Sequence, residues 1–163
     1  MLGPQHLETL RTKANLSVSL QGQGNFYSAA GLARQVLRER KRLLSPEHPD
    51  MLATKGLLAS AMSGQGRYSE AEALGRQVLE VEERVLGLEH PSTLETKSSL
   101  AHSLSGQGKY PEAAAMAKEA LAVQERVLGP EHPDTLTSKA TLARWEGQTD
   151  RSEVRKRKCS PRN

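Results

Sequence analysis

Apolar residues in this chain recur at three and four positions. Leu52, Leu58, Ala59 and Met62 fall on one side of a helix, and so do Leu94, Leu100, Ala101 and Leu104. A second stripe, Ala71, Leu74, Val78, Leu79 and Val85, has the same helical spacing. The pattern predicts two kinds of one-sided helix in alternation. Helix A is expected over about 7–21, 49–63, 91–105 and 133–146, and helix B over about 26–44, 68–86 and 110–128.

Punctuation between the stripes supports this reading. Gly-Gln-Gly at 22–24, 64–66 and 106–108 separates each helix A from its helix B, because glycine weakens a helix and readily takes the left-handed conformation of a tight turn. Gly87 and Gly129 stop helix B, and Glu-His-Pro then opens the next helix A. Pro49, Pro91 and Pro133 suit a first helical turn, where a missing N–H costs nothing. Asp50, Ser92 and Asp134 behind them are expected to supply the caps.

The unit so defined repeats. His6, His48, His90 and His132 are 42 residues apart, as are Leu10, Leu52, Leu94 and Leu136; Lys13, Lys55, Lys97 and Lys139; and Leu16, Leu58, Leu100 and Leu142. Phe26, Tyr68 and Tyr110 keep the period, followed by Ala29, Ala71 and Ala113. A two-helix hairpin with one apolar stripe per helix cannot bury that stripe alone, so neighbouring copies must cover it. The expected fold is all-α: three helical hairpins and a terminal helix A stacked as an α-solenoid.

Val-Leu-Gly-Pro-Glu-His-Pro-Asp-Thr-Leu at 127–136, Gly-Gln-Gly-Arg-Tyr-Ser-Glu-Ala at 64–71 and Arg-Gln-Val-Leu at 76–79 resemble tetratricopeptide repeats, in the long 42-residue version of kinesin light chains. The resemblance spans residues 1 to about 148 and implies a right-handed superhelix whose inner groove holds a peptide or a partner's surface. By position, the groove would be lined by Arg11, Ala14, Asn15, Val18 and Gln21, then by Ala53, Gly56, Leu57, Ser60 and Ser63. Glu95, Ser98, Ser99, His102 and Ser105 would follow, and Thr137, Ala140, Thr141 and Arg144 would close the row. Each set also falls on one helical face by spacing alone. Light-chain-like repeats carry an asparagine that clamps the ligand backbone. Only Asn15 keeps it here, against Leu57, Ser99 and Thr141, so the acidic-peptide preference of those proteins is not carried over.

Composition narrows the picture. Aromatics are 3% of 163 residues, so the core is built from Leu, Ala and Val. No apolar run is long enough for a membrane span, and the first residues lack the order of a signal peptide. With Cys159 as the single cysteine, a cytoplasmic protein is expected. From Arg151 onward six basic residues face one acid; that +5 exceeds the whole chain's +4, leaving the body at −1. Nucleic acid is therefore not an expected partner of the repeats. Residues 149–163 read as a basic, disordered tail. Its Arg155, Lys156, Arg157 and Lys158 offer the alternative function, contact with nucleic acid or an acidic membrane, and a route to the nucleus.

Chemistry adds little. Equivalent histidines in stacked units are held about 8–10 Å apart by helix packing, too far to share a metal with bonds near ~2 Å. Gly-Gln-Gly lacks the remainder of a phosphate loop. The repeated lysines are expected to lay their stems across the helix pair with the ammonium in water, rather than form a ladder for acidic ligands. His102 beside Ser99 and Ser103 is the nearest approach to a nucleophilic constellation, and a solvated groove residue accounts for it better. No catalytic residue, metal or cofactor is expected. The expected function is a non-catalytic scaffold, an adaptor in the manner of kinesin light chains, whose partner is a protein or peptide. The ends read as those of a fragment, a recent duplication product or a degenerate copy of a longer array, and an exposed apolar end would favour self-association.

Overall fold

The computed structural model describes the backbone of residues 6–159, with side chains for 6–149 and Arg151. Among these residues there are seven helices and no strand: α1 (Leu7–Gly22), α2 (Phe26–Leu43), α3 (Pro49–Gly64), α4 (Tyr68–Val85), α5 (Pro91–Gly106), α6 (Tyr110–Leu128) and α7 (Pro133–Cys159). Every helix packs on the next in sequence, and α1 also touches α3, as α3 touches α5. That is the connectivity of hairpins stacked in single file.

The histidine column caps helix A. In His6, His48, His90 and His132, Nδ1 accepts the backbone N–H two residues on, at 3.1 to 3.2 Å. This corrects the expectation for Asp50, Ser92 and Asp134. With proline in the first helical position the residue before it becomes the cap, and these three lie one step inside, as donors of the capped N–H. Asp50 instead pairs with Arg40 at 3.3 Å.

Each residue of Gly-Gln-Gly has its own task. The second glycine takes positive φ, 74° to 78° at Gly24, Gly66 and Gly108, which a side chain disfavours. The first glycine seats the aromatic ring of the preceding unit. A Cβ on Gly64 would lie 2.3 Å from the Phe26 ring, and one on Gly106 would lie 2.4 Å from the Tyr68 ring. Gly22, in the first described unit, has open space there. The glutamine reaches backward: Gln65 Nε2 donates to the Phe26 carbonyl at 2.9 Å and Gln107 Nε2 to Glu72 at 2.7 Å.

Burial follows the stacking. Leu58, Leu100 and Leu142 are buried, whereas Leu16, their counterpart in the first unit, is 52% exposed, with no earlier hairpin among the described residues to cover it. At the other end Leu136 is exposed while Leu10 and Leu52 are covered. The core itself is small-residue packing: Ala29, Ala30 and Ala33 of α2 meet Leu58, Ala61 and Met62 of α3 and Ala71 of α4. Near the end, Trp145 stands where the earlier units have Ser19, Ala61 and Ser103, and fills the space over Ala101, Leu104 and Ala113.

Helix α7 continues to Cys159, past the end expected at 146 and into the segment read as disordered. The cause is the missing turn. Where the triplet would fall the chain has Gln148, Thr149 and Asp150, so neither the ring seat nor the left-handed glycine exists and the helix runs on. The tail residues 160–163 lie outside the described residues.

One sequence position should therefore respond oppositely in two units. Gly106→Ala is expected to lower stability by about 1–3 kcal/mol through collision with Tyr68. Gly22→Ala should be neutral, or stabilising by up to ~1 kcal/mol. Urea denaturation of both variants followed by circular dichroism checks this.

Candidate binding groove

The successive helices A form one wall, and between α1, α3 and α5 that wall carries a hollow of about 370 Å³. Val18 and Gln21 line it from α1, Ala53, Gly56, Leu57 and Ser60 from α3, and Glu95 and Ser99 from α5. All eight are positions expected from sequence. Gly56 adds room, having open space where a Cβ would be, while bare Gly75 lets α4 pack close on α5, since a Cβ there would meet Leu100 at 2.9 Å. The floor reaches past the first helical layer to Gly75 and Glu82 of α4. A second hollow shares Ser60 and Ser99 and adds Ser63, Ser98 and His102. A third, of about 160 Å³, brings His102 to Thr137, Thr141 and Trp145.

Some expected positions lie elsewhere. Arg11, Asn15 and Arg144 are exposed but line none of these three hollows, and Ala14 is buried. The side chains of Arg155, Lys156, Arg157 and Lys158 lie outside the described residues. Sequence reasoning missed Glu82, which is buried although charged and faces the hollow. A signal was present, because Glu82 continues the apolar stripe of Val78 and Leu79 at helical spacing. Its counterparts 42 residues away, Arg40 and Gln124, are polar too.

Glu82 is 3% exposed, and its Oε2 has no hydrogen-bond partner. Burial pushes this carboxyl above the usual carboxylate range; the Thr96 hydrogen bond pulls it back, and nearby Glu95 pushes it further up. Arg40, by contrast, donates through Nη1 to the Asp50 carbonyl at 2.7 Å and the Thr54 hydroxyl at 2.6 Å, while its Nε has no partner.

The wall is held in register by contacts between units. Gln21 Nε2 donates to the Leu57 carbonyl at 3.1 Å, tying α1 to α3 across the groove. Glu72 of α4 accepts from Lys109 at 2.9 Å and from Arg76, besides Gln107. Burial alone would raise the Glu72 carboxyl, but the Lys109, Gln107 and Arg76 hydrogen bonds outweigh it and bring the value to about 2. Lys97 departs from the solvated lysine expected at its column. It is buried and bridges Glu83 of α4 at 3.0 Å and Glu119 of α6 at 2.8 Å. Burial opposes its charge, yet the two carboxylates hold its ammonium above the ordinary lysine range. Lys139 likewise pairs with Glu125 at 2.9 Å. The ammonium groups of Lys97 and Lys139 are thus tied to neighbouring helices. Ser103 is buried and donates to the Ser99 carbonyl at 3.0 Å, while His102 is exposed.

A stack of such hairpins with a hollow along its A helices defines a helical-repeat solenoid. The tetratricopeptide repeat family model matches residues 8–84, 50–126 and 92–154, and the chain belongs to that family. Among solved structures it is similar to nearly identical TPR-like repeats of a kinesin light chain candidate from Podosopora anserina. The TM-score is 0.82 at 31% identity, over 94% of this chain and 72% of that one. A point variant of those repeats gives 0.78 at 31% identity, covering 93% and 72%. BtubC (BKLC) from P. vanneervenii shares the fold at 21% identity with a TM-score of 0.70, over 90% of this chain and 59% of that one. No curated protein matches the sequence.

Two acids, partly buried Glu72 and buried Glu82, should act in opposite directions. Glu72 has its folded value lowered from 4.5 to about 2. Its contribution is therefore present above about pH 4.5 and lost as pH falls toward 2. Glu72→Gln should flatten that acid limb, by at most ~3 kcal/mol, in denaturant midpoints measured against pH. For Glu82 the folded value is raised, so its contribution holds at low pH and is lost as pH rises through the carboxylate range. Glu82→Gln should stabilise the neutral-pH protein by about 1 kcal/mol, a gain that shrinks on acidification. A neutral-pH loss in thermal melts of Glu82→Gln would contradict this.

Proposed function

We propose that the chain is a non-catalytic, cytoplasmic interaction scaffold that binds an extended segment of a partner protein in the groove along its A helices, an adaptor of the kinesin-light-chain kind. The observation that carries this reading is the hollow crossing three successive units, whose lining mixes apolar Val18, Leu52 and Leu57 with small polar Ser60 and Ser99. Such a surface suits a peptide that fixes its register with polar groups and its affinity with one or two anchoring side chains. The family membership supports the same assignment, since tetratricopeptide repeats generally bind proteins or peptides.

The rival contact is the basic segment around Arg155–Lys158, within the residue range of α7. Affinity capture of partners from the source cell separates the two. Leu57→Glu, at the centre of the groove, should reduce capture at least ~10-fold, while truncation after residue 150 should leave it unchanged. Capture that survives Leu57→Glu, but disappears on truncation and weakens steeply with salt, would move the function to the tail.

A further inference from the structure

Glu82 is the one group in the groove that the structure leaves incomplete. Other buried polar atoms also lack partners, at Arg40 Nε, Gln124 Oε1 and Thr135 Oγ1, but none of those residues lines the hollow. Glu82 does line it, and its Oε2 is orphaned. Glu95 lies at the exposed rim of the same hollow, close enough to act on Glu82. No lysine or arginine lines this hollow.

We propose that this hollow is a subsite for a lysine side chain of the bound segment, with the ammonium seated on Glu82 Oε2. The proposal rests on the groove reading above and adds the chemistry of the ligand to it. Charge argues for a cation, since two carboxylates face one cavity with no lysine or arginine in its lining, although His90, outside that lining, also acts on Glu82. Shape argues for a long apolar stem, which can run over Val18, Leu57 and Leu100 to reach the carboxylate. Stoichiometry of acceptors favours lysine over arginine. Thr96 already bonds the carboxyl and one oxygen is free, which suits a compact ammonium better than a guanidinium fork that needs two acceptors.

Energetics point the same way. A buried ion pair often fails to stabilise because two groups must be stripped of water. Here folding has already stripped the carboxylate, so the ligand loses only the hydration of its own ammonium and relieves the repulsion between Glu82 and Glu95. A neutral side chain of equal length would gain the stem contacts and nothing more. An acidic one would add a third negative charge.

Selection of a random-peptide phage library on the intact chain and on Glu82→Gln tests this. Peptides enriched on the intact chain should carry lysine at one fixed position. On Glu82→Gln the flanking preferences should persist and the lysine preference should vanish. In fluorescence anisotropy the best lysine peptide should bind Glu82→Gln at least ~10-fold more weakly, while its norleucine counterpart binds both proteins alike. Glu95→Gln, an exposed change that leaves the core intact, should weaken the lysine peptide by a smaller factor.

A consensus of arginine or acidic residues, a lysine preference that survives Glu82→Gln, or no effect of either variant would overturn the subsite while leaving the groove in place. Failure to enrich any peptide on the intact chain, or enrichment that persists on Leu57→Glu, would overturn the groove reading itself.

Discussion

Everything in this protein depends on each hairpin covering the apolar side of the one before it. No unit can bury its own stripe, and the first described unit shows the consequence directly: the leucine that is buried in three units is half exposed there, with no earlier hairpin among the described residues to cover it. With so few aromatics the covering has to be done by close approach rather than by bulk. Alanines and glycines let helices come near enough for small side chains to exclude water. The Gly-Gln-Gly turn is the device that fixes this approach. It supplies a left-handed corner, a seat for the neighbour's ring and an amide that reaches back to the neighbour.

Polar contacts then set the register that apolar packing leaves loose. Lys97 is held by two carboxylates from two different B helices, and Glu72 is held by three donors. Their value lies in geometry more than in net stability, since exposed pairs such as Arg84 with Glu47 contribute little. The same close packing that stabilises the stack also creates the groove. Successive A helices stand side by side, and beside the bare Gly56 the hollow between them reaches a carboxylate on the layer behind.

That carboxylate illustrates how stability and binding pull apart. A buried glutamate with a free oxygen is a local inconsistency in an otherwise well-matched core, and such inconsistencies concentrate where a protein meets a ligand. Its neighbours in the repeat, Arg40 and Gln124, occupy the same column with different solutions. Arg40 finds Asp50 and Thr54, while Gln124 keeps an orphaned oxygen away from the hollow. One column thus holds three chemistries, of which Glu82 alone lines the hollow.

The sequence alone determined the period, the helical character of both stripes, the turns and the face that the A helices present, because all of these follow from spacing within about one unit. It also carried eight of the residues that line the main hollow, since positions 3, 1 and 3 apart must share a helical face. Only the tertiary structure decided what happens between units. It made histidine rather than its neighbours the cap, buried Lys97 between two acids, and let α7 run on where Gln148 and Asp150 replace glycines. It also brought Glu82 through from the second layer to the groove floor. Those outcomes depend on which side chain the adjacent hairpin presents, at distances that the linear pattern does not encode.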